Sequence, residues 1–512
     1  MRLQLSDILG TEHVVSDERE REFYSQDVYM AGELVALVIR PGTIDELSRS
    51  IAAITSAGFP VAPRGGGMSY TSGYIQHVPN AVMVDMGRLN KVREINADDM
   101  YVTVEANCTW AELDDALKDT GLRTPMWGTL SGLRATVGGG LSQNCLFFGS
   151  GHHGTAADSV LGLKVVLADG SIVPTGTLST KGGKPFMRYY GPDLTGIFLA
   201  DTGALGFKAE ITLRLCPRLE HEAYASFAFD TYDACADALS AISRTGIPSE
   251  LFGFDPNLAE QRLKRDSILK DIDRLKGVVS KAGVKEAAKV VLAGRSYMDD
   301  VAYSIHAVVE GRQRATVDAD LDEVRRIAKM YGREIENSMP KIIRSIPFVP
   351  LNNMLGPEGE RWAPIHGLVA HSDAKATWKA IYNLFDEFKD KMDQYGITYG
   401  FLVGTISTNG FIIEPVLYWP DKRMEIHKRT IEDGLLSRMK DFEPNPECTE
   451  VVHELKRHLC QLFLNHGAAH LQIGKTYLYK QGRDPQAWKL VEGIKNLVDP
   501  NRRVNPGSLG LE

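Results

Sequence analysis

Four glycine-rich segments lie between residues 63 and 207, each at the start or end of a stretch with strand character. No other feature of the 512-residue sequence limits its possible folds as strongly. They are Pro63-Arg64-Gly65-Gly66-Gly67-Met68-Ser69-Tyr70, Ala135-Thr136-Val137-Gly138-Gly139-Gly140-Leu141-Ser142-Gln143-Asn144, Gly149-Ser150-Gly151-His152-His153-Gly154-Thr155-Ala156-Ala157-Asp158, and Asp201-Thr202-Gly203-Ala204-Leu205-Gly206-Phe207. Lacking Cβ, consecutive glycines reach positive φ, approach a ligand closely and offer amide N–H groups to an anion such as a pyrophosphate. A single glycine pair is first of all a turn. Four such segments at strand ends predict backbone converging on one large ligand from several sides. The first segment matches neither GxGxxG nor GxxxxGK[ST], which argues against a dinucleotide Rossmann turn and a P-loop.

The elements between these segments predict an α+β chain. Val35 to Ile39 reads as a strand, and Thr43 with Glu46 has the spacing of a capping box before the apolar stripe Ile44, Leu47, Ile51, Ile54. A strand at 59–62 leads into the triple glycine. Another at 102–106 precedes a second capping box, Thr109 with Glu112. Leu163 to Leu167, the turn Ala168-Asp169-Gly170 and Phe207 to Leu215 predict further strands. Beyond Pro217 the character changes, and the main boundary is placed there. The charge-dense stretch 258–335 predicts long helices with solvated faces. Thr377 to Met392 predicts another helix. Phe401 to Ile406 and Phe411 to Trp419 predict a strand pair turned at Asn409-Gly410, with helices following at 447–465 and 485–498. His470 to Tyr479 predicts a strand with Lys475, Tyr477 and Tyr479 on one face.

Composition narrows the function classes. At 43% hydrophobic and 24% charged the chain is an ordinary globular protein of at least two folding units. A net charge of −8 gives no electrostatic footprint for nucleic acid. The six cysteines show no CxxC spacing and predict buried thiols in a reducing compartment. No apolar run approaches the roughly 18 residues of a membrane span, and no signal peptide is visible, so a cytoplasmic location is expected.

The set Pro63-Arg64-Gly65-Gly66-Gly67, Thr136-x-Gly138-Gly139, Asn144, Gly154 to Asp158-x-Val160, Ala168-Asp169-Gly170 and Gly203-Ala204-x-Gly206 resembles the FAD-binding domain of the vanillyl-alcohol oxidase/p-cresol methylhydroxylase (PCMH-type) flavoproteins. The closing Asp499-Pro500-Asn501 and Asn505-Pro506-Gly507-Ser508-Leu509-Gly510 resembles that family's C-terminal return to the flavin. The resemblance implies a two-subdomain FAD-binding domain with an inserted antiparallel-sheet cap. Residues 1–217 would form the FAD domain, 218–459 the cap and substrate domain, and 460–512 the return. It also implies that Pro63, Arg64, Gly65, Gly66, Gly67, Met68 and Ser69 cradle the pyrophosphate. Thr136, Gly138, Gly139, Ser142, Asn144, Gly151, His152, Gly154 and Asp158 would line the ribityl and ring path, with Gly203 and Phe207 at the adenine side and Asn505 approaching from the other end. Relatives that attach FAD through the first glycine loop need a histidine where this chain has Met68. Tyr418 is the one candidate in the cap strand, so non-covalent FAD is expected.

Reduction of a flavin requires a substrate C–H bond over N5 and a group that handles the neighbouring proton. His153 is expected to assist proton transfer, and Lys475 with Tyr477 to hold a phenolic or anionic oxygen. The implied function is FAD-dependent oxidation of a small hydroxylated, aromatic or phenolic substrate by hydride transfer to N5, as oxidase or dehydrogenase in aromatic compound catabolism. Two alternatives stay open: a metal-independent D-2-hydroxy acid dehydrogenase, and a non-redox FAD-dependent group-transfer synthase. His366-Gly367-Leu368-Val369-Ala370-His371 lacks the acidic and amide ligands of the hydroxy-acid branch's metal motif, so no metal is expected. A small-molecule substrate, an electron acceptor (oxygen or a protein) and a homo-oligomer complete the expectations.

Overall fold

The computed structural model describes residues 1–264, 301–351 and 354–512. Three larger sheets carry the chain. In the first, β1 (Val14–Val15), β2 (Leu37–Ile39), β4 (Val82–Asp85) and β3 (Val61–Arg64) lie in that order, with β2, β4 and β3 parallel. The helix Ile44–Ser56 makes the crossover, burying Leu47, Ile51 and Ile54. Its Thr43 cap accepts from the Glu46 amide at 3.1 Å, while the Glu46 carboxylate reaches back to the Gly42 amide at 2.7 Å. Val61 also bridges to Val504 in parallel, so the C-terminal tail lies along the free edge of β3.

The second sheet is antiparallel, in the order β5 (Val92–Asn96), β6 (Tyr101–Glu105), β10 (Phe207–Arg214), β8 (Val160–Val166), β9 (Ile172–Pro174). The helix Trp110–Leu117 opens on the complete capping box Thr109–Glu112. β7 (Leu122–Arg123) pairs with β11 (Cys216–Pro217).

The third sheet has eight strands, all antiparallel. The order is β15 (Arg333–Ile335), β12 (His221–Phe229), β14 (Tyr303–Gly311), β13 (Glu250–Phe254), β18 (Thr398–Ile406), β19 (Gly410–Trp419), β16 (Arg361–Pro364), with β17 (Gly367–Val369) also pairing β19. β18 and β19 form the hairpin expected around Asn409-Gly410, in register Ile406 with Gly410.

Two sequence expectations fail here. The stretch 258–335 is not simply helical, because β14 runs between β12 and β13 inside the large sheet and β15 forms its edge. Only Pro256–Lys264 and Arg314–Ala328 are helices, and the part of the expectation covering 265–300 lies outside the described residues. β14 is buried from Ser304 to Glu310 without alternation, so it gives no period-2 signal, and the charges flanking it dominate the pattern. The second failure is His470 to Tyr479, which forms turns rather than a strand. Gln472 at φ 48 and Gly474 at φ 58 break the extended path. The segment docks through Gln472 N–H on the Gln143 carbonyl at 2.7 Å and Lys475 N–H on the Thr71 carbonyl at 3.0 Å. No helix among the described residues is long and apolar enough to cross a membrane.

Candidate functional site

The glycines matter first because the segments touch one another. A Cβ on Gly66 would sit 1.8 Å from the Arg134 carbonyl, and one on Gly65 2.7 Å from the Thr136 hydroxyl. A Cβ on Gly138 would meet Ala106 at 2.7 Å, and Gly203, at φ 72, abuts Pro63. The first, second and fourth glycine segments therefore close on each other with no room for a side chain at these glycines. Asn505 ties the bundle: its amide donates to the Gly73 and Thr202 carbonyls at 2.8 Å each, and its Oδ1 accepts from Gln76 and Lys475.

Between these segments and the large sheet runs a cavity of about 400 Å³, within the range of ligand sites. Its glycine end is lined by Pro63, Gly65 to Ser69, Thr136, Gly138 to Gly140, Ser142, Thr202, Gly203 and Gly206. Four buried polar atoms of lining residues make no hydrogen bond: Asn107 Oδ1, Gln143 Oε1, Thr202 Oγ1 and His366 Nε2. Leaving such atoms unpaired costs about 1–3 kcal/mol each, so the cavity is built for a ligand with hydrogen-bonding groups along its length. FAD, with a phosphate-bearing middle and a polar ring system, fits this donor and acceptor set.

The far end is formed by β16, β18 and β19 together with Leu146, Phe147 and the turn at 471–472. Trp362, Leu402, Ile412 and Leu471 wall it, and Tyr70, His366, Glu414 and Gln472 are its polar members. Gln472 donates to the Tyr70 hydroxyl at 2.7 Å. Burial, and then the Glu414 charge, raise the Tyr70 phenol well above its ordinary range. His366 is 3% exposed, and burial followed by the neighbouring His470 pushes its pKa down to about 3. Its backbone N–H donates to the Tyr477 hydroxyl at 2.8 Å, and that hydroxyl lies 3.1 Å from His366 Nδ1. With the hydroxyl proton turned to Nδ1, the imidazole proton sits on Nε2, on the ring edge that borders the cavity. His470 stacks on Tyr477 at 3.9 Å between ring centroids and holds the phenol in place.

The structure separates the sequence-predicted residues into two groups. Pro63, Gly65, Gly66, Gly67, Met68, Ser69, Thr136, Gly138, Gly139, Ser142 and Gly203 line the cavity. Arg64 does not; its guanidinium lies behind Gly67, 4.6 Å from the ring centres of Phe23 and Tyr24, and supports the loop from beneath. The third glycine segment also points elsewhere. Gly151 donates to the Ser249 carbonyl at 2.8 Å and His152 Nε2 to the Ile247 carbonyl at 2.6 Å, so this loop is the seam to the large sheet. Gly154 and Asp158 shape that seam, with Asp158 accepting from the Thr155 amide at 2.8 Å. Asn144 ends the helix Val137–Gln143 in the left-handed region, and Phe207 is core.

The expected catalytic groups also move. His153 lies off the cavity, beside Arg123 and Glu310, with a pKa pushed down to about 4 mainly by burial. Lys475 is held by the Ile75 carbonyl at 2.7 Å and Asn505 at 2.8 Å, and Tyr477 stands behind His366. Neither lines the cavity. Tyr70, His366 and Glu414 line the far end instead. Glu414 had a readable signal, a lone carboxylate inside the apolar run Phe411 to Trp419. Among the described residues no three His, Cys, Asp or Glu side chains cluster as metal ligands.

Comparison with known proteins places this geometry. A family model described as the FAD binding domain matches residues 35–176, and one described as the C-terminal domain of FAD-linked oxidases matches residues 449–509. An FAD-linked oxidoreductase of Mycobacterium tuberculosis is 29% identical over 260 residues, 50% of this chain and 54% of that one. A mitochondrial D-lactate dehydrogenase (cytochrome) of Arabidopsis thaliana is 30% identical over 247 residues, 48% of this chain and 42% of that one. The chain thus spans about half the length of the curated relatives it matches. Among solved structures, substrate-bound p-cresol methylhydroxylase superposes with a TM-score of 0.75 at 18% identity, covering 100% of this chain and 96% of that one. Residues 35–176 thus carry an FAD binding domain, which marks FAD as the cofactor, and the fold of the chain is that of p-cresol methylhydroxylase.

Proposed function

We propose that this flavoprotein is an oxidoreductase that dehydrogenates a small aromatic substrate carrying a phenolic or benzylic hydroxyl. The observation that carries the reading is the make-up of the cavity's far end. Aromatic and aliphatic walls surround Tyr70, His366, Glu414 and Gln472, and no lysine or arginine among the described residues lines that end. Lys208, the basic residue in the lining, is paired with Asp201 at 2.6 Å near the glycine segments. A carboxylate substrate would lose its hydration there without a counter-charge, whereas a flat neutral ring gains by burial.

When bound, FAD supplies the two-electron acceptor, taking hydride at N5. The glycine segments would hold its phosphates and ribityl chain, with Asn107, Gln143 and Thr202 as side-chain partners. His366, neutral across the working pH range, donates from Nε2 to the substrate oxygen and orients it. Glu414 takes the hydroxyl proton as the adjoining C–H bond breaks. Phe147, Trp362 and Leu402 exclude water from the reacting carbon. Tyr418 is not among the residues that line the cavity, and attachment is read as non-covalent. Residues 218–459 act as the cap and substrate domain between the two FAD-binding parts.

The similarity to D-lactate dehydrogenases favours one competing reading, oxidation of a D-2-hydroxy acid. Anaerobic mixing of the yellow protein with para-alkylphenols, benzylic alcohols, D-lactate and D-2-hydroxyglutarate separates the two. Bleaching by the aromatic set supports the proposal. Bleaching by the hydroxy acids alone rejects it.

A further inference from the structure

Arginines gather outside the cavity, beneath the first glycine segment, with too few carboxylates to match them. Arg64 is 5% exposed and carries no hydrogen bond on Nε or Nη2. Its guanidinium stands 4.6 Å from the Phe23 ring centre, and the Arg429 guanidinium stands 4.0 Å from the same centre. The half-exposed Arg134 joins them, its Nη1 donating to the Thr430 hydroxyl at 3.2 Å. Burial, then the Arg64 and Arg429 charges, push the Arg134 pKa down, and only the Tyr24 phenol acts the other way. The acidic groups nearby are already engaged. Glu20 accepts from Arg40 at 3.1 Å and from Arg429 at 2.8 Å, and Asp85 accepts from Arg40 at 3.2 Å and from the Tyr24 hydroxyl at 2.5 Å. The other charges on the two helices cancel. Glu18 and Glu22 offset Arg19 and Arg21 on the helix Glu18–Tyr24, and Glu425 offsets Lys428 on the helix Glu425–Thr430. Glu432, just past Thr430, is not among the groups acting on Arg134. Arg40, Arg64, Arg134 and Arg429 thus face Glu20 and Asp85, a surplus of two positive charges, and among the described residues no carboxylate pairs with Arg64 or Arg134.

We propose that Arg134, Arg429 and Thr430, with Arg64 beneath them, form a binding site for a phosphate-class oxyanion, distinct from the cavity. None of these four residues lines the cavity. A Cβ on Gly67 would sit 2.4 Å from Arg64 Nη2, while Gly65 to Ser69 line the cavity, so the glycine loop stands between the two sites. A buried guanidinium without a counter-charge is costly, and an incoming oxyanion offsets that cost through charge-assisted hydrogen bonds. One doubly charged oxyanion neutralises the surplus, which a single carboxylate would not. Planar forks arriving from different directions also suit tetrahedrally placed oxygens. Arg64 lies in the first glycine segment and Arg134 just before the second, whereas Arg429 and Thr430 end the helix Glu425–Thr430. A bound oxyanion therefore ties that helix to the back of the glycine loop, and it should slow the loss of FAD.

Calorimetric titration of the FAD-loaded protein with inorganic phosphate tests this, at an ionic strength held constant with sodium chloride. Wild type is expected to bind one phosphate per chain with a Kd of about 1 mM. Arg134→Gln and Arg429→Gln should each weaken that binding about ten-fold, while Arg49→Gln, at an exposed arginine elsewhere, should leave it unchanged. Ribose 5-phosphate identifies the source of the anion. Binding as tight as that of phosphate supports a site for phosphate monoesters, and binding of phosphate alone supports a site for the free ion. A second measurement follows FAD release into dilute solution by its fluorescence. Phosphate should slow release from wild type and have no effect on release from Arg429→Gln, whose exposed side chain can be changed without disturbing the core. Absence of saturable binding, binding unchanged in both variants, or an effect that chloride reproduces overturns the proposal. Loss of flavin from Arg134→Gln, with phosphate binding intact in Arg429→Gln, assigns the arginines to the cofactor and also rejects it.

Discussion

At the scale of single residues, the site works through hydrogen-bond direction. Tyr477 accepts from the His366 amide and lies against Nδ1, so the direction of its own proton sets which ring nitrogen carries the imidazole proton. Replacing His366 by Leu removes the donor to the substrate oxygen and should lower kcat about 100-fold. Tyr477→Phe keeps the stacking on His470 but frees the tautomer, and about a ten-fold loss in kcat is expected. Flavin content, read from the absorbance ratio, should be unchanged in both, because neither residue lines the glycine end. A drop in flavin content with kcat per flavin unaltered would contradict these roles. In the sequence these residues were only partly readable. The triple glycine announces itself because close backbone approach admits no other residue type. His366 and Tyr477 are common residues whose meaning lies in a contact across 111 positions.

At the scale of elements, the seam between the large sheet and the third glycine segment is a buried ionic knot. Arg344, on the helix Ser338–Ser345, binds Glu250 at 2.9 Å, Glu222 at 2.6 Å and Glu310 at 2.7 Å. Arg123 on β7 also pairs with Glu310, whose pKa the two guanidiniums hold down to about 2 against the opposing effect of burial. Glu250 in turn accepts from the Gly149 amide at 2.6 Å. Removing one member leaves charges buried without a partner, so Arg344→Met should cost about 3–5 kcal/mol in urea unfolding. A change under about 1 kcal/mol would show that the knot contributes geometry and not stability. This seam was illegible from sequence. The glutamates sit on three strands, and β14, which carries Glu310, is hidden within a charge-dense stretch. The Thr109–Glu112 capping box, the Thr43 cap and the β18–β19 hairpin, by contrast, are written in neighbouring residues and are legible there.

At the scale of the whole molecule, acid is the expected weakness. Burial pushes His366 and His427 down to about 3 and His470 to about 4. All three are neutral when folded and protonated when unfolded over the window between those values and the ordinary one near 6.5. The folded state is therefore undisturbed by them above that window and loses stability as pH falls through it. The extra proton that each of the three carries on the unfolded chain contributes a slope of roughly 4 kcal/mol per pH unit in all. The opposing shifts of His153, down to about 4, and Asp255, up to about 6, nearly offset each other. His427 accepts from the Met424 amide at 3.0 Å and donates to the Val28 carbonyl at 3.1 Å, and does not itself line the cavity. Urea midpoints on either side of about pH 5 should show the slope reduced by about a third in His427→Gln; an unchanged slope would remove that residue from the account. A last consequence follows from the clasp of Asn505 on Gly73, Gln76 and Thr202. Asn505 follows Gly73 by 432 positions, so on the ribosome the clasp that ties the glycine segments closes only after translation has passed that asparagine. Firm retention of the flavin is therefore a late event, and chains stalled short of it should lose the yellow colour on gel filtration.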